Sequence, residues 1–271
     1  MGDVQRDVLA SGVRVRVADS GSGSPILLLH SAFMDHSTWA AMGAHMGSGF
    51  RLLAPDLPGS GESEKPPPAR FEYGIEAFTD TVADLYAGLS LSRTALVGHG
   101  LGGAVALSLA ARYPELVERL VIVGAWCYSS PPLLEQRLAQ TPFIGGLVFK
   151  QLWNRASFRS FFNRRLVGRD AVPAARVDRY YDAFSTPAGR SSALATLRAT
   201  VDTRAVAAQV GRIQAKTLVI WGRQDAWIPA AFGQRLSREI RGAGFLLLDA
   251  GHCPHEERPE PVASAIREFL T

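Results

Sequence analysis

Cysteine is nearly absent: among 271 residues only Cys127 and Cys253 occur, with no metal-type spacing between them. That excludes a disulfide scaffold and a thiolate zinc site, and fits a reducing compartment. No apolar run reaches membrane-spanning length. The opening "MGDVQRDVLASG" lacks the basic start and apolar core of a secretory signal, and Arg6 stands where an acylation pattern on Gly2 needs Ser or Thr. There is no phosphate-binding glycine loop before a basic residue, no dinucleotide fingerprint and no metal-ligand cluster, so neither cofactor nor metal is expected. These absences predict a soluble, cytoplasmic chain.

What is present is enough apolar material, 47% of the residues, for one large core. "VRVRVA" (13–18) alternates with period two and reads as an edge or half-buried strand. "ILLLH" (26–30), "RLLAP" (51–55), "TALVG" (94–98), "RLVIVG" (119–124), "TLVIWG" (217–222) and "FLLLD" (245–249) read as strands mostly buried on both faces. Helical patterns lie between them over 75–89, 103–113, 230–241 and 259–270. Strand and helix alternate, which predicts an α/β fold with a doubly wound, mostly parallel sheet. The rhythm breaks between Tyr128 and about Ala215, where aromatic-rich helical pieces such as "LVFKQLWNRASFRSFFNRRL" and "VDRYYDAF" predict an inserted helical cap. The expected organisation is a core of residues 1–128 and 216–271 and a cap of residues 129–215, the cap covering the crevice where open α/β sheets bind ligands.

Charge is unevenly spread. The net charge is +4, yet residues 131–215 hold 13 Lys and Arg against 5 Asp and Glu. A solvated helical face explains such a surplus, and an anionic substrate is the sharper alternative. The basic residues are scattered and no recognition motif accompanies them, so no nucleic-acid partner is expected.

Chemistry concentrates at the carboxyl ends of the expected strands. "LLLHSAF" (27–33), "APDLPGSGES" (54–63), "LVGHGLGG" (96–103), "WGRQDAWIP" (221–229) and "DAGHCPHEERPE" (249–260) together resemble the α/β-hydrolase superfamily, in its capped esterase, lactonase and epoxide-hydrolase-like branch. The resemblance covers nearly all of the chain outside the cap. It implies a strained strand-to-helix turn with a nucleophile at the centre of G-x-S-x-G, followed later in the chain by an acid and a histidine, here Asp225 and His252. It also implies oxyanion donors at the backbone N–H groups of Leu101 and Ala32, or Phe33 under a one-residue shift.

Two positions depart from that pattern. Gly100 stands where Ser, Cys or Asp is expected, and a glycine supplies no nucleophilic atom. Ser31 replaces the glycine usual after the loop histidine. His30, Ser31, His99, Trp126, Trp227 and Cys253 are candidates to line the substrate pocket. The expected function is an enzyme acting on a small, largely apolar molecule, with an anion as the alternative. His252, oriented by Asp225, serves as general base or acid without a covalent serine intermediate, in hydrolysis, elimination, isomerisation or cyclisation. Two alternatives stay open: an esterase-type hydrolase inactivated by Ser-to-Gly replacement at 100, and a non-catalytic binding protein of the same fold.

Overall fold

The computed structural model describes residues 4–129, 137, 140–141, 144–147, 154–167 and 172–271. Gly2 and residues 148–153 of the aromatic-rich stretch lie outside them. One sheet of eight strands organises the chain: β1 (Val4–Ala10), β2 (Val13–Gly21), β3 (Gly23–Leu29), β4 (Gly49–Pro55), β5 (Thr94–His99), β6 (Val117–Val123), β7 (Lys216–Gly222) and β8 (Gly244–Leu248), in the spatial order β1-β2-β4-β3-β5-β6-β7-β8. β1 pairs with β2, and β2 with β4, antiparallel; every other neighbouring pair is parallel.

The apolar runs fall where both faces of the sheet are covered. Side chains alternate between faces along a strand: Leu27, Leu29 and Leu96 join one buried cluster, and Ile26, Leu28, Ala95 and Val97 join the other. Helices Ile75–Gly88 and Gly100–Arg112 cover the first face, while Trp39, Met42 and helix Pro259–Leu270 cover the second. Full burial of one such leucine stabilises the fold by about 1.5–3 kcal/mol. The alternating segment 13–18 belongs to β2, the second strand of the sheet. The edge on that side is β1, whose sequence VQRDVLA buries only Val8 and Ala10 and so carried too little apolar signal to be read as a strand.

Between β6 and β7 there are helices at Ile144–Leu147, Arg155–Arg165, Ala174–Phe184, Pro187–Ala199 and Arg204–Gln209. Local chemistry starts two of them: Asn154 accepts from Ser157 N at 2.9 Å, and Thr186 accepts from Gly189 N at 3.0 Å with Pro187 in the first turn.

Candidate active site

Four loops at the carboxyl ends of β3, β5, β7 and β8 meet at one point. Leu29 of β3 lies opposite Gly98 of β5, so the loops leaving these neighbours run side by side, and Gly102 N donates to His30 O at 3.2 Å. After β5 the chain turns at Gly100, φ +54°, and enters helix Gly100–Arg112 at once, three residues earlier than the sequence pattern suggested. A Cβ on Gly102 would lie 2.4 Å from Leu29 O, so only glycine lets the two loops approach this closely.

Asp225 and His252 form the expected pair. Nδ1 of His252 lies 2.8 Å from Oδ2 of Asp225, with both side chains fully buried. The other carboxylate oxygen accepts from the N–H groups of Trp227 at 2.9 Å and Ile228 at 2.8 Å. With three hydrogen bonds fixing Asp225, the imidazole is held with Nδ1–H toward the carboxylate and Nε2 as the free acceptor. Nε2 is buried and has no hydrogen-bond partner among the described residues. It lies 3.4 Å from the position that a Cβ on Gly100 would occupy.

That same position is 2.0 Å from Oγ and 2.7 Å from Cβ of Ser31. The Ser31 hydroxyl therefore fills the volume an elbow side chain would use, and it accepts from Leu101 N at 3.4 Å. The Ser31 carbonyl is held by His30 Nδ1 at 2.7 Å and Met34 N at 3.3 Å. Two residues on, Phe33 has φ +65°, a left-handed conformation that is strained for a side chain of that size.

The remaining candidates separate into two groups. His30 is buried and both ring nitrogens are used: Nε2 accepts from Leu57 N at 2.9 Å, so the proton on Nδ1 goes to Ser31 O. Burial lowers its pKa, and its neutral ring braces the loop rather than facing a ligand. His99 is likewise buried, its pKa held well below the ordinary value by burial and then by His255 and His252. Its Nε2 donates to His252 O at 3.0 Å and its ring lies 4.7 Å from that of His252, so it positions the histidine loop. Burial pushes the Cys253 thiol well up, which makes it a poor nucleophile. Trp227, by contrast, lies against the His252 ring at 5.6 Å and touches Trp126 at 5.7 Å.

Ala32, Phe33 and Leu101 share the wall of a small cavity of about 30 Å³, facing Gly61, Phe184 and Thr196. No Lys or Arg stands on that wall among the described residues. An aromatic layer closes the centre: Phe33 meets Phe158, Phe161, Phe184 and Trp227 at ring distances of 5.9–6.4 Å. Several described basic residues of the helical segment are engaged elsewhere. Arg159 pairs with Asp178, Arg155 with Asp178 and Asp182, and Arg179 with Asp35 at 3.2 Å. Asp35, His36 and Asp56 cluster closely, but their oxygens are taken: Asp56 Oδ1 accepts from the N–H of His36, at 2.7 Å, and meets its Nδ1, at 2.9 Å, while Asp35 accepts from Ser37 N at 2.8 Å and Arg179 at 3.2 Å.

Sequence reading missed Glu256. Glu256 Oε1 accepts from Thr38 Oγ1 at 2.6 Å and from Tyr180 OH at 2.8 Å, and Arg176 stands 3.6 Å away. Burial nevertheless raises its pKa to about 7. The three glutamates of "HEERPE" look equally solvated on paper, and only the fold separates the covered Glu256 and Glu257 from the exposed Glu260.

A doubly wound sheet with a glycine-flanked strand-to-helix turn and a carboxylate-braced imidazole at its carboxyl edge defines the class of α/β hydrolases. The chain belongs to the alpha/beta hydrolase fold family, whose model matches residues 24–259, and it is an enzyme of that fold. It is 30% identical over 291 residues to 2-hydroxymuconate semialdehyde hydrolase of Pseudomonas sp. (strain CF600), a match covering 99% of this chain and 94% of that protein. Epoxide hydrolase 3 of Xenopus tropicalis is 28% identical over 287 residues, covering 96% and 75%. The crystal structure of the enol-lactonase from Burkholderia xenovorans LB400 superposes with a TM-score of 0.82 at 24% identity, covering 98% and 99%, which is a likeness of fold.

Proposed function

We propose that this hydrolase cleaves a small, largely apolar organic molecule, with His252 as the group that takes and returns the proton. The observation that carries this reading is Nε2 of His252, which is buried, unpaired and aimed at the space over Gly100 while Asp225 holds the far side of the ring. An imidazole kept dry and oriented in this way suits proton transfer, which contributes ~10²–10⁴-fold to a reaction. Residue 100 makes no bond to substrate. An oxygen standing over it, a water in the simplest form, gives its proton to Nε2 and attacks an acyl carbon. The N–H of Leu101, with that of Ala32 or Phe33, receives the charge that develops on the carbonyl oxygen. The shared wall of these three residues supports that placement.

The relatives named as hydrolases favour hydrolysis over elimination, isomerisation or cyclisation. A wall without Lys or Arg among the described residues favours a neutral substrate over an anion. Residues 129–215 act as a cap: the contacts of Phe158, Phe161 and Phe184 with Phe33 lie across the entrance to the centre, so substrate entry requires this layer to part. A cytoplasmic setting accords with the free Cys127 and Cys253.

The test is a panel of p-nitrophenyl esters and small lactones assayed with His252→Ala and Asp225→Asn. Both variants are expected to lose about 10²–10⁴-fold in kcat with little change in KM. Wild-type turnover in either variant would remove the proton-transfer role, and with it this reading.

A further inference from the structure

We propose that Ser31 is the nucleophile of this enzyme, its hydroxyl having taken over the place left bare at the elbow. The inference rests on the reading of His252 as the proton acceptor, and replaces the attacking water with a side chain.

The geometry points there from three sides. The Cβ position of residue 100 is where an elbow side chain would begin, and Ser31 Oγ stands 2.0 Å from it while His252 Nε2 stands 3.4 Å from it. Hydroxyl and imidazole thus flank one point, both buried, and the imidazole nitrogen has no other partner among the described residues. Leu101 N–H, the elbow donor, already reaches the Ser31 oxygen at 3.4 Å. Among the described residues this is the only hydrogen bond of the Ser31 hydroxyl, and in it the oxygen accepts, so its own proton remains to be given. The Ser31 main chain, finally, is fixed by His30 and Met34, so the hydroxyl rotates about one bond on a rigid support.

Sterics couple the two departures from the family pattern. A side chain on residue 100 would stand 2.7 Å from Ser31 Cβ, closer than two such carbons approach in folded proteins. Residue 31 carries a Cβ only because residue 100 has none. The bare elbow at 100 and the hydroxyl at 31 are thus sterically coupled. Catalytic hydrogen bonds are commonly loose before substrate binds, and a turn of the Ser31 side chain toward Nε2 completes this one.

The chemistry balances without any further reagent. Ser31 Oγ attacks the acyl carbon of an ester or lactone as its proton passes to His252 Nε2, and Leu101 N–H turns from Oγ to the new oxyanion. The bond to the leaving oxygen breaks and that oxygen takes the proton from His252. Water then attacks the acyl group on Ser31, giving one proton to Nε2, and Ser31 leaves as the alcohol on recovering it.

A fluorophosphonate tests this directly, because the Oγ–P bond forms as fluoride departs and the adduct survives peptide mapping by mass spectrometry. Wild-type protein is expected to take one label, on Ser31, and His252→Ala to label at least ~10²-fold more slowly. Ser31→Ala keeps the Cβ and removes only the oxygen; it should take no label and lose ~10³-fold or more in turnover of p-nitrophenyl acetate. The double variant S31G/G100S should move the label to residue 100. An unlabelled wild-type Ser31, or full turnover by Ser31→Ala, overturns the proposal. If turnover then still depends on His252, direct attack by water stands; if it does not, the proton-transfer reading fails as well.

Discussion

At the scale of single residues, Gly100 bears two constraints at once. Its φ of +54° is one that side-chain-bearing residues enter at a free-energy cost of about 1–3 kcal/mol, and its missing Cβ makes room for Ser31. Gly100→Ala is therefore expected to lower stability by more than the backbone term alone, roughly 3 kcal/mol in urea unfolding. In a Ser31→Gly background the penalty should fall back toward the backbone term, and a double-mutant cycle measures the difference. Equal penalties in both backgrounds would mean that the two positions do not press on one another. Each departure from the hydrolase pattern was legible in the sequence by itself. That they occupy one point was not, because 69 positions separate them and only the parallel pairing of β3 with β5 brings their loops together.

Elements explain how the site is held. Strands β3, β5, β7 and β8 each end at the same edge of the sheet and each delivers one part of the proposed site: Ser31 and the neighbouring amides, the Gly100 turn, Asp225, and His252. Above them helix Ala174–Phe184 docks onto the core through Arg179 with Asp35, Arg176 with Ser37 and Glu256, and Tyr180 with Glu256. Glu256 makes this contact sensitive to pH. Its folded pKa of about 7 lies above the ordinary 4.5, so between these values the folded chain keeps a proton that the unfolded chain has released. The stabilisation that follows is complete below about pH 4.5 and falls away as pH rises toward 7. Glu256→Gln fixes the side chain in a neutral form. The stability of wild type relative to this variant should therefore be greater near about pH 5 than near about pH 8, by urea unfolding at each. A relative stability independent of pH would contradict the assignment.

On the scale of the whole molecule, the architecture was written mainly in the runs of residues buried on both faces. "TALVG" and "RLVIVG" could be read at once because parallel central strands are apolar throughout. β1 escaped because an edge strand with one half-covered face has almost no apolar period. The pairing of Asp225 with His252 was legible as well, through the resemblance to the hydrolase pattern, in which an acid and then a histidine each follow a strand. Charge was the least informative feature. The basic surplus of residues 131–215 left a solvated helical face and an anionic substrate both open, and among the described residues Arg155, Arg159, Arg179 and Arg204 pair with carboxylates. Composition counts charges without saying which are paired, and pairing depends on how helices face one another.

The central claim is that proton transfer through His252 opens the reaction over Gly100. Rapid mixing of enzyme with p-nitrophenyl acetate, following p-nitrophenol release before the steady state, measures that step alone. The account predicts that His252→Ala slows this first release by about 10²–10⁴-fold, and that wild type shows an initial burst close to one equivalent per chain where Ser31 is the nucleophile. A burst of undiminished rate and amplitude in His252→Ala would contradict it.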